Sequence, residues 1–208
     1  MYYGERLNSI THLIGAVLAL VGFGALLTIS IQSQQPLMVL GFVVFGLSLI
    51  QLYTMSTLYH SLPFPRVKRI FQKLDHVSIY LLIAGTYTPY MLLPLWDSGG
   101  MEMLIVIWTM AVFGLLLDLF VRRRIEWLQI IIYLVMGWVC TLNYGALRAS
   151  VPPAGVIWLT IGGMAYTLGV IFYVLDNFQK LRHAHGIWHL FVLAGSLCHF
   201  ISIVGYVR

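Results

Sequence analysis

The sequence predicts an all-α integral membrane protein, a seven-transmembrane-helix bundle with its N-terminus in the cytoplasm and its C-terminus outside. Three observations carry this. Apolar runs of about 20 residues, long enough to cross a bilayer as helices, recur along nearly all of the 208 residues. The composition is 60% hydrophobic and only 9% charged, with a mean hydropathy of +0.89, which rules out a water-soluble globule of ordinary composition. Ten of the twelve lysines and arginines lie in segments that share one face, and the positive-inside rule makes that face cytoplasmic. No polar stretch is long enough to fold outside the bilayer, so residues 1–208 are expected to form one membrane domain.

The seven spans are read at about 10–30, 37–59, 75–94, 102–121, 126–147, 154–175 and 186–206. Ile10 to Ile29 follows Glu5 and Arg6 and is too long for a signal-peptide core, so it is expected to stay as the first span. Gln32-Ser33-Gln34-Gln35-Pro36 breaks the first span from the second. Pro63-Phe64-Pro65-Arg66-Val67-Lys68-Arg69 reads as a turn with a basic face, and Asp97-Ser98-Gly99-Gly100 as the next break. Arg122-Arg123-Arg124, Ser150-Val151-Pro152-Pro153 and Asp176-Asn177-Phe178-Gln179-Lys180 divide the remaining spans.

Within the spans, Pro89 should kink the third, with neighbouring threonines taking up freed backbone groups. Gly155, Gly162 and Gly169, seven apart on one stripe, predict close helix packing. Asp118 stands four residues before Arg122, a spacing suited to an ion pair at the interface. Cys140 and Cys198 fall in separate apolar runs without C-x-x-C spacing and read as small buried hydrophobes. The net charge of +5 comes from short basic loops that orient the chain, so no nucleic-acid binding is expected.

On this topology His60 closes span two, Asp75 opens span three, and His185 and His189 open span seven, all at the cytoplasmic end. Polar clusters at such depth are functional hypotheses by default. His185 and His189, at i and i+4, leave one side of a helix and can share a metal ion. With His60 they supply the three protein ligands common in catalytic zinc sites, the fourth position being left to water. Water so placed titrates near neutrality and can attack an amide or ester carbonyl. Asp75 is suited to take that proton or hold the water. Ser56, one turn before His60, is suited to donate to a developing oxyanion or to orient a ligand. The blander readings are interfacial histidines bonded to loop carbonyls and lipid phosphates, and a serine bonded to the carbonyl four residues back.

Other polar residues fit less closely. Glu5, Asn8 and His12 share one face of the first helix and read as a second polar layer, with a helix cap preferred for Glu5. His76 points about 100° away from Asp75 and reads as an interhelical hydrogen-bonder. His183 reads as a solvated loop residue. His199 lies roughly 21 Å beyond His185 along the helix, too far for the same ion, and reads as a buried histidine with a local partner.

Ser56-Thr57-Leu58-Tyr59-His60, Asp75-His76-Val77-Ser78-Ile79-Tyr80, Ala84-Gly85-Thr86-Tyr87-Thr88-Pro89 and His185-Gly186-Ile187-Trp188-His189 resemble the motifs of the bacterial haemolysin III family. Glu5, Asn8 and His12 resemble its opening E-x2-N-x3-H. That family is related to the adiponectin and progestin (PAQR) receptors and belongs with the alkaline ceramidases among membrane hydrolases that depend on a metal. The resemblance implies a multi-pass protein of a bacterial plasma membrane, a seven-helix fold with its N-terminus inside, and zinc held by His60, His185 and His189. It also implies that Asp75 and Ser56 sit at water-associated positions.

The animal receptors carry a long N-terminal extension absent here, which argues against an extracellular protein hormone as partner. The family name implies lysis of red cells, yet no amphipathic pore-forming segment stands out. The expected function is zinc-dependent hydrolysis of a lipid amide or ester at the cytoplasmic leaflet. One alternative is a non-enzymatic receptor, regulator or cytolysin with structural zinc. A third is a bis-histidine haem protein, since two helices at one depth can sandwich a porphyrin.

Overall fold

The computed structural model describes residues 4–121 and 125–208, and these are helical almost throughout. The helices are α1 (Arg6–Ser33), α2 (Pro36–Ser61), α3 (Pro65–Leu92), α4 (Met101–Phe120), α5 (Glu126–Trp138), α6 (Tyr144–Ser150), α7 (Pro153–Asn177) and α8 (Ala184–Tyr206). Proline opens α2, α3 and α7, where its missing N–H is needed by no helical bond and its fixed φ already suits the helix.

Six stretches are long and apolar enough to cross a membrane: α1, α2, Trp96–Phe120, Glu126–Ser150, α7 and α8. The helix outside this set, α3, is enclosed along its second half. Every residue from Ala84 to Leu92 is buried, and α3 packs against α2, α4, α5 and α8. A helix that meets protein on all sides can carry tyrosine, threonine and glycine, since neighbours satisfy and cover them. The opposite case is α4, of which only Ile107, Ala111 and Gly114 are buried. Its exposed Ile105, Val106, Phe113 and Phe120 form an apolar face suited to lipid. Gly114 lets α3 in: a Cβ there would fall 2.3 Å from the Tyr80 ring.

The glycine stripe of α7 packs on α8 as its spacing predicts. A Cβ on Gly155, Gly162 or Gly169 would come within 2.7–2.8 Å of Tyr206, His199 or Phe191, respectively. Cys198 is buried, Cys140 half-buried, and both are free thiols.

Two boundaries differ from the sequence reading, and a third takes a form it did not specify. The basic turn 63–69 is mostly helix, because Pro65 starts α3 ten residues before the apolar run begins. The fifth span is broken by a 3₁₀ turn at Val139–Asn143. Its cause is Tyr87 of α3, whose hydroxyl donates to the Met136 carbonyl (2.9 Å) and accepts the Cys140 N–H (2.9 Å), so that a foreign side chain enters the helical ladder. The break before α4 is a π-type turn, Trp96–Gly100, reversed at Gly99 with φ +84°, where only glycine is unstrained.

Pro89 lies three residues from the end of α3, and Gly41 of α2 makes room for it, since a Cβ there would sit 2.9 Å from the Pro89 Cα. Thr86 and Thr88 donate to Leu82 and Ala84 carbonyls. The Arg122-Arg123-Arg124 loop, and with it the expected Asp118–Arg122 pair, lies outside the described residues. Asp118 accepts a short hydrogen bond from Gln129 of α5.

Candidate metal centre

His60 ends α2, whereas His185 and His189 occupy the first two turns of α8. Antiparallel packing therefore brings the three imidazoles together at the end of the bundle where α1, α3 and α8 begin. Each offers one ring nitrogen within 4.8 Å of the others, with His60 and His189 buried and His185 half-buried. Ring centroids are 4.8–5.0 Å apart pairwise. That closeness leaves no slot for a porphyrin between any two of them, which removes the geometric basis of the haem reading.

The hydrogen bonds decide which nitrogen faces inward. His60 Nδ1 lies 2.6 Å from Glu5 Oε2, His185 Nδ1 lies 3.0 Å from Asp176 Oδ2, and His189 Nδ1 lies 3.1 Å from the Asn8 carbonyl oxygen and 3.1 Å from Thr11 Oγ1. Carboxylate and carbonyl oxygens only accept, so each Nδ1 is a protonated donor, and in the neutral ring it is Nε2 that carries the lone pair. His60 Nε2 is buried without any hydrogen-bond partner. Three imidazoles whose outer nitrogens are held by acceptors match the way metal-binding histidines are oriented. The residues present fit a divalent ion such as zinc.

Ser56 is buried, and its Oγ has no hydrogen-bond partner. Other hydroxyls on these helices fold back on their own carbonyls, as Thr57 does on Tyr53 and Ser78 on Leu74. The back-bonded reading of Ser56 therefore does not hold, and its hydroxyl remains available one turn from His60. Asp75 is half-buried about three turns into α3 and lies outside the 4.8 Å group of ligand atoms. Tyr133 donates to the backbone carbonyl of His76 at 3.1 Å. His183 is exposed, and His199 is buried with Nδ1 donating to Gly195 at 2.9 Å.

The cap reading of Glu5 is overturned. Its side chain caps no α1 amide; it accepts from His60, from Asn8 Nδ2 (2.9 Å) and from Lys68 Nζ (3.1 Å). Burial by itself would raise the Glu5 carboxyl, but the bond and charge of His60, with Asn8 and Lys68, outweigh it and hold the group well below the usual carboxylate range. His12 stacks on His189, with centroids 3.5 Å apart and planes 9° from parallel. Sequence reasoning missed Asp176, which reads only as the polar end of span six, and the Asn8 carbonyl, which no residue type announces. Placing the ends of α7 and α8 on the same face was the only signal available for Asp176.

Beside the histidines, α3, α5, α7 and α8 enclose a largely apolar cavity of about 140 Å³, lined at this end by His76, Tyr133, Tyr173 and Trp188. The Tyr173 ring is 6.3 Å from that of His185.

A family model described as Haemolysin-III related matches residues 2–200. The chain is 38% identical over 202 residues to the hemolysin-3 homolog of Bacillus subtilis (strain 168), covering 97% of this chain and 93% of that protein. It is 39% identical over 203 residues to hemolysin-3 of Bacillus cereus, covering 98% and 91%. The adiponectin receptor protein of Drosophila melanogaster is 24% identical over 224 residues, which cover 96% of this chain and 50% of the receptor. Such matches, together with six long apolar helices, identify a multi-pass protein of the cell membrane. The matched region contains all three clustered histidines, and the chain belongs to the haemolysin III family.

Proposed function

We propose that this protein is a zinc-dependent hydrolase of membrane lipid amides or esters. Residues 1–208 would act as one seven-span domain with the N-terminus and the histidines on the cytoplasmic side. The observation that carries the reading is the convergence of three imidazoles whose Nδ1 atoms are already engaged. His60, His185 and His189 would hold the ion, with the nitrogens opposite their bonded Nδ1 atoms as donors. When bound, zinc supplies Lewis acidity and makes water a nucleophile near neutral pH. The Asp75 carboxylate accepts the proton of the attacking water and returns it to the leaving amine or alcohol as the carbonyl carbon loses that bond. Ser56 Oγ–H donates to the carbonyl oxygen as charge develops there. The neighbouring apolar cavity receives the acyl chain, which arrives sideways from the bilayer.

A second reading, a receptor or regulator with structural zinc, is favoured by the similarity to the Drosophila adiponectin receptor protein. Two measurements separate them. Elemental analysis of purified protein should find about one zinc in wild type and little in His60→Ala or His189→Ala; equal zinc in all three would end the proposed ligation. Incubation with ceramide-like lipids should then show turnover by wild type and none by Asp75→Asn. Zinc without turnover on any lipid amide or ester would leave the receptor reading.

A further inference from the structure

The histidines are held largely by a helix that contributes none of them. We propose that the residue before α1 and the first two turns of that helix position the site, with Glu5 orienting His60 and His12 bracing His189; this rests on the metal reading above.

Glu5 gathers donors from α1, α2 and α3 at once: Asn8, His60 and Lys68. A carboxylate on Nδ1 fixes the tautomer and plane of the ring and raises the basicity of Nε2, which is how such partners tune metal affinity. A residue serving only to cap α1 would bond its amides, and Glu5 bonds none. Lys68, in turn, holds the other Glu5 oxygen, so the carboxylate cannot swing away from His60 without breaking two further bonds.

His12 is 3% exposed, and neither of its ring nitrogens has a hydrogen-bond partner. A buried imidazole without polar partners is costly in an apolar interior. Its contacts are instead the parallel face of His189 and the edge-on Tyr53 ring 5.1 Å away. Together with the Asn8 carbonyl and Thr11 hydroxyl on His189 Nδ1, this confines His189 both in its plane and across it. The close approach has its own provision in α8. Gly186 lies between the two α8 histidines, and a Cβ there would fall 2.4 Å from Leu7 and 3.2 Å from Asn8 Oδ1. A larger residue there would have to push aside the Leu7 and Asn8 side chains of α1.

The test is cobalt(II) titration of full-length protein in detergent, followed by the visible absorption of bound cobalt, on wild type and the Glu5→Ala, Glu5→Gln, His12→Ala and His12→Phe variants. Thermal unfolding of each metal-free protein is measured alongside. Glu5→Ala should weaken binding roughly 10- to 100-fold and shift the cobalt bands, while unfolding of the metal-free form stays near wild type. Glu5→Gln, which keeps an acceptor oxygen but loses the charge, should recover part of that loss. His12→Ala should also weaken binding and shift the bands, and His12→Phe, which restores a flat face, should return both toward wild type. Wild-type affinity and spectra in Glu5→Ala and His12→Ala would overturn the inference while leaving the metal site standing. So would losses that merely track unfolding of the metal-free protein. A wild type that binds no cobalt and no zinc would instead remove the metal reading and this inference together.

Discussion

His189 and His199 lie ten residues apart on α8, at 1% and 6% exposure, and their surroundings differ in kind. His199 gives its Nδ1–H to Gly195, one turn back on its own helix, and stacks on Tyr166 with centroids 5.3 Å apart. The hydroxyl of that Tyr166 bonds Ser196 and makes no bond to the imidazole. His189 sends its Nδ1–H across to α1 and turns its other edge toward two more imidazoles. Burial of a histidine in a membrane helix therefore does not mark a site. Convergence of several histidines, each with its outer nitrogen already held, is the feature on which the proposed site rests.

The largest expected effect tests this contrast directly. His189→Ala should lose zinc altogether, whereas His199→Ala should retain wild-type stoichiometry in elemental analysis; metal loss in both would erase the distinction. Next in size is metal removal. An ion that binds only the folded state stabilises it by mass action, about 2.7 kcal/mol at a hundred times Kd. A strong chelator should therefore lower the unfolding temperature of wild type and leave that of His189→Ala unchanged.

Gly162→Ala places a Cβ 2.8 Å from His199 Nδ1 and 3.1 Å from the Gly195 oxygen. Overpacking of that kind costs about 1–3 kcal/mol, so unfolding should shift while the folded fraction keeps its zinc. The smallest effect belongs to His199→Phe, which deletes one local hydrogen bond worth about 0.5–1.5 kcal/mol and should leave metal affinity untouched. A drop in affinity there would couple the two regions.

The sequence disclosed what the lipid imposes. Spans one, two, four, six and seven lie within a few residues of α1, α2, α4, α7 and α8, because exposed apolar faces must be written as long apolar runs. Its reach ended where one helix acts on another. The break in the fifth span is made by Tyr87 of α3, and no local signal at Val139–Asn143 announces it. The same division runs through the site. His60, His185 and His189 could be placed at one end from topology and charge alone. The holders of the histidines could not: Glu5 stands where caps stand, Asp176 reads as a span end, and the Asn8 carbonyl belongs to a backbone that every residue has.

The most direct measurement is X-ray absorption at the zinc edge of purified, zinc-loaded full-length protein. The account predicts imidazole nitrogens at about 2.0–2.1 Å in wild type, and loss of that three-imidazole shell from whatever little zinc His60→Ala retains. A first shell without imidazole, or one that His60→Ala leaves unchanged, would contradict it.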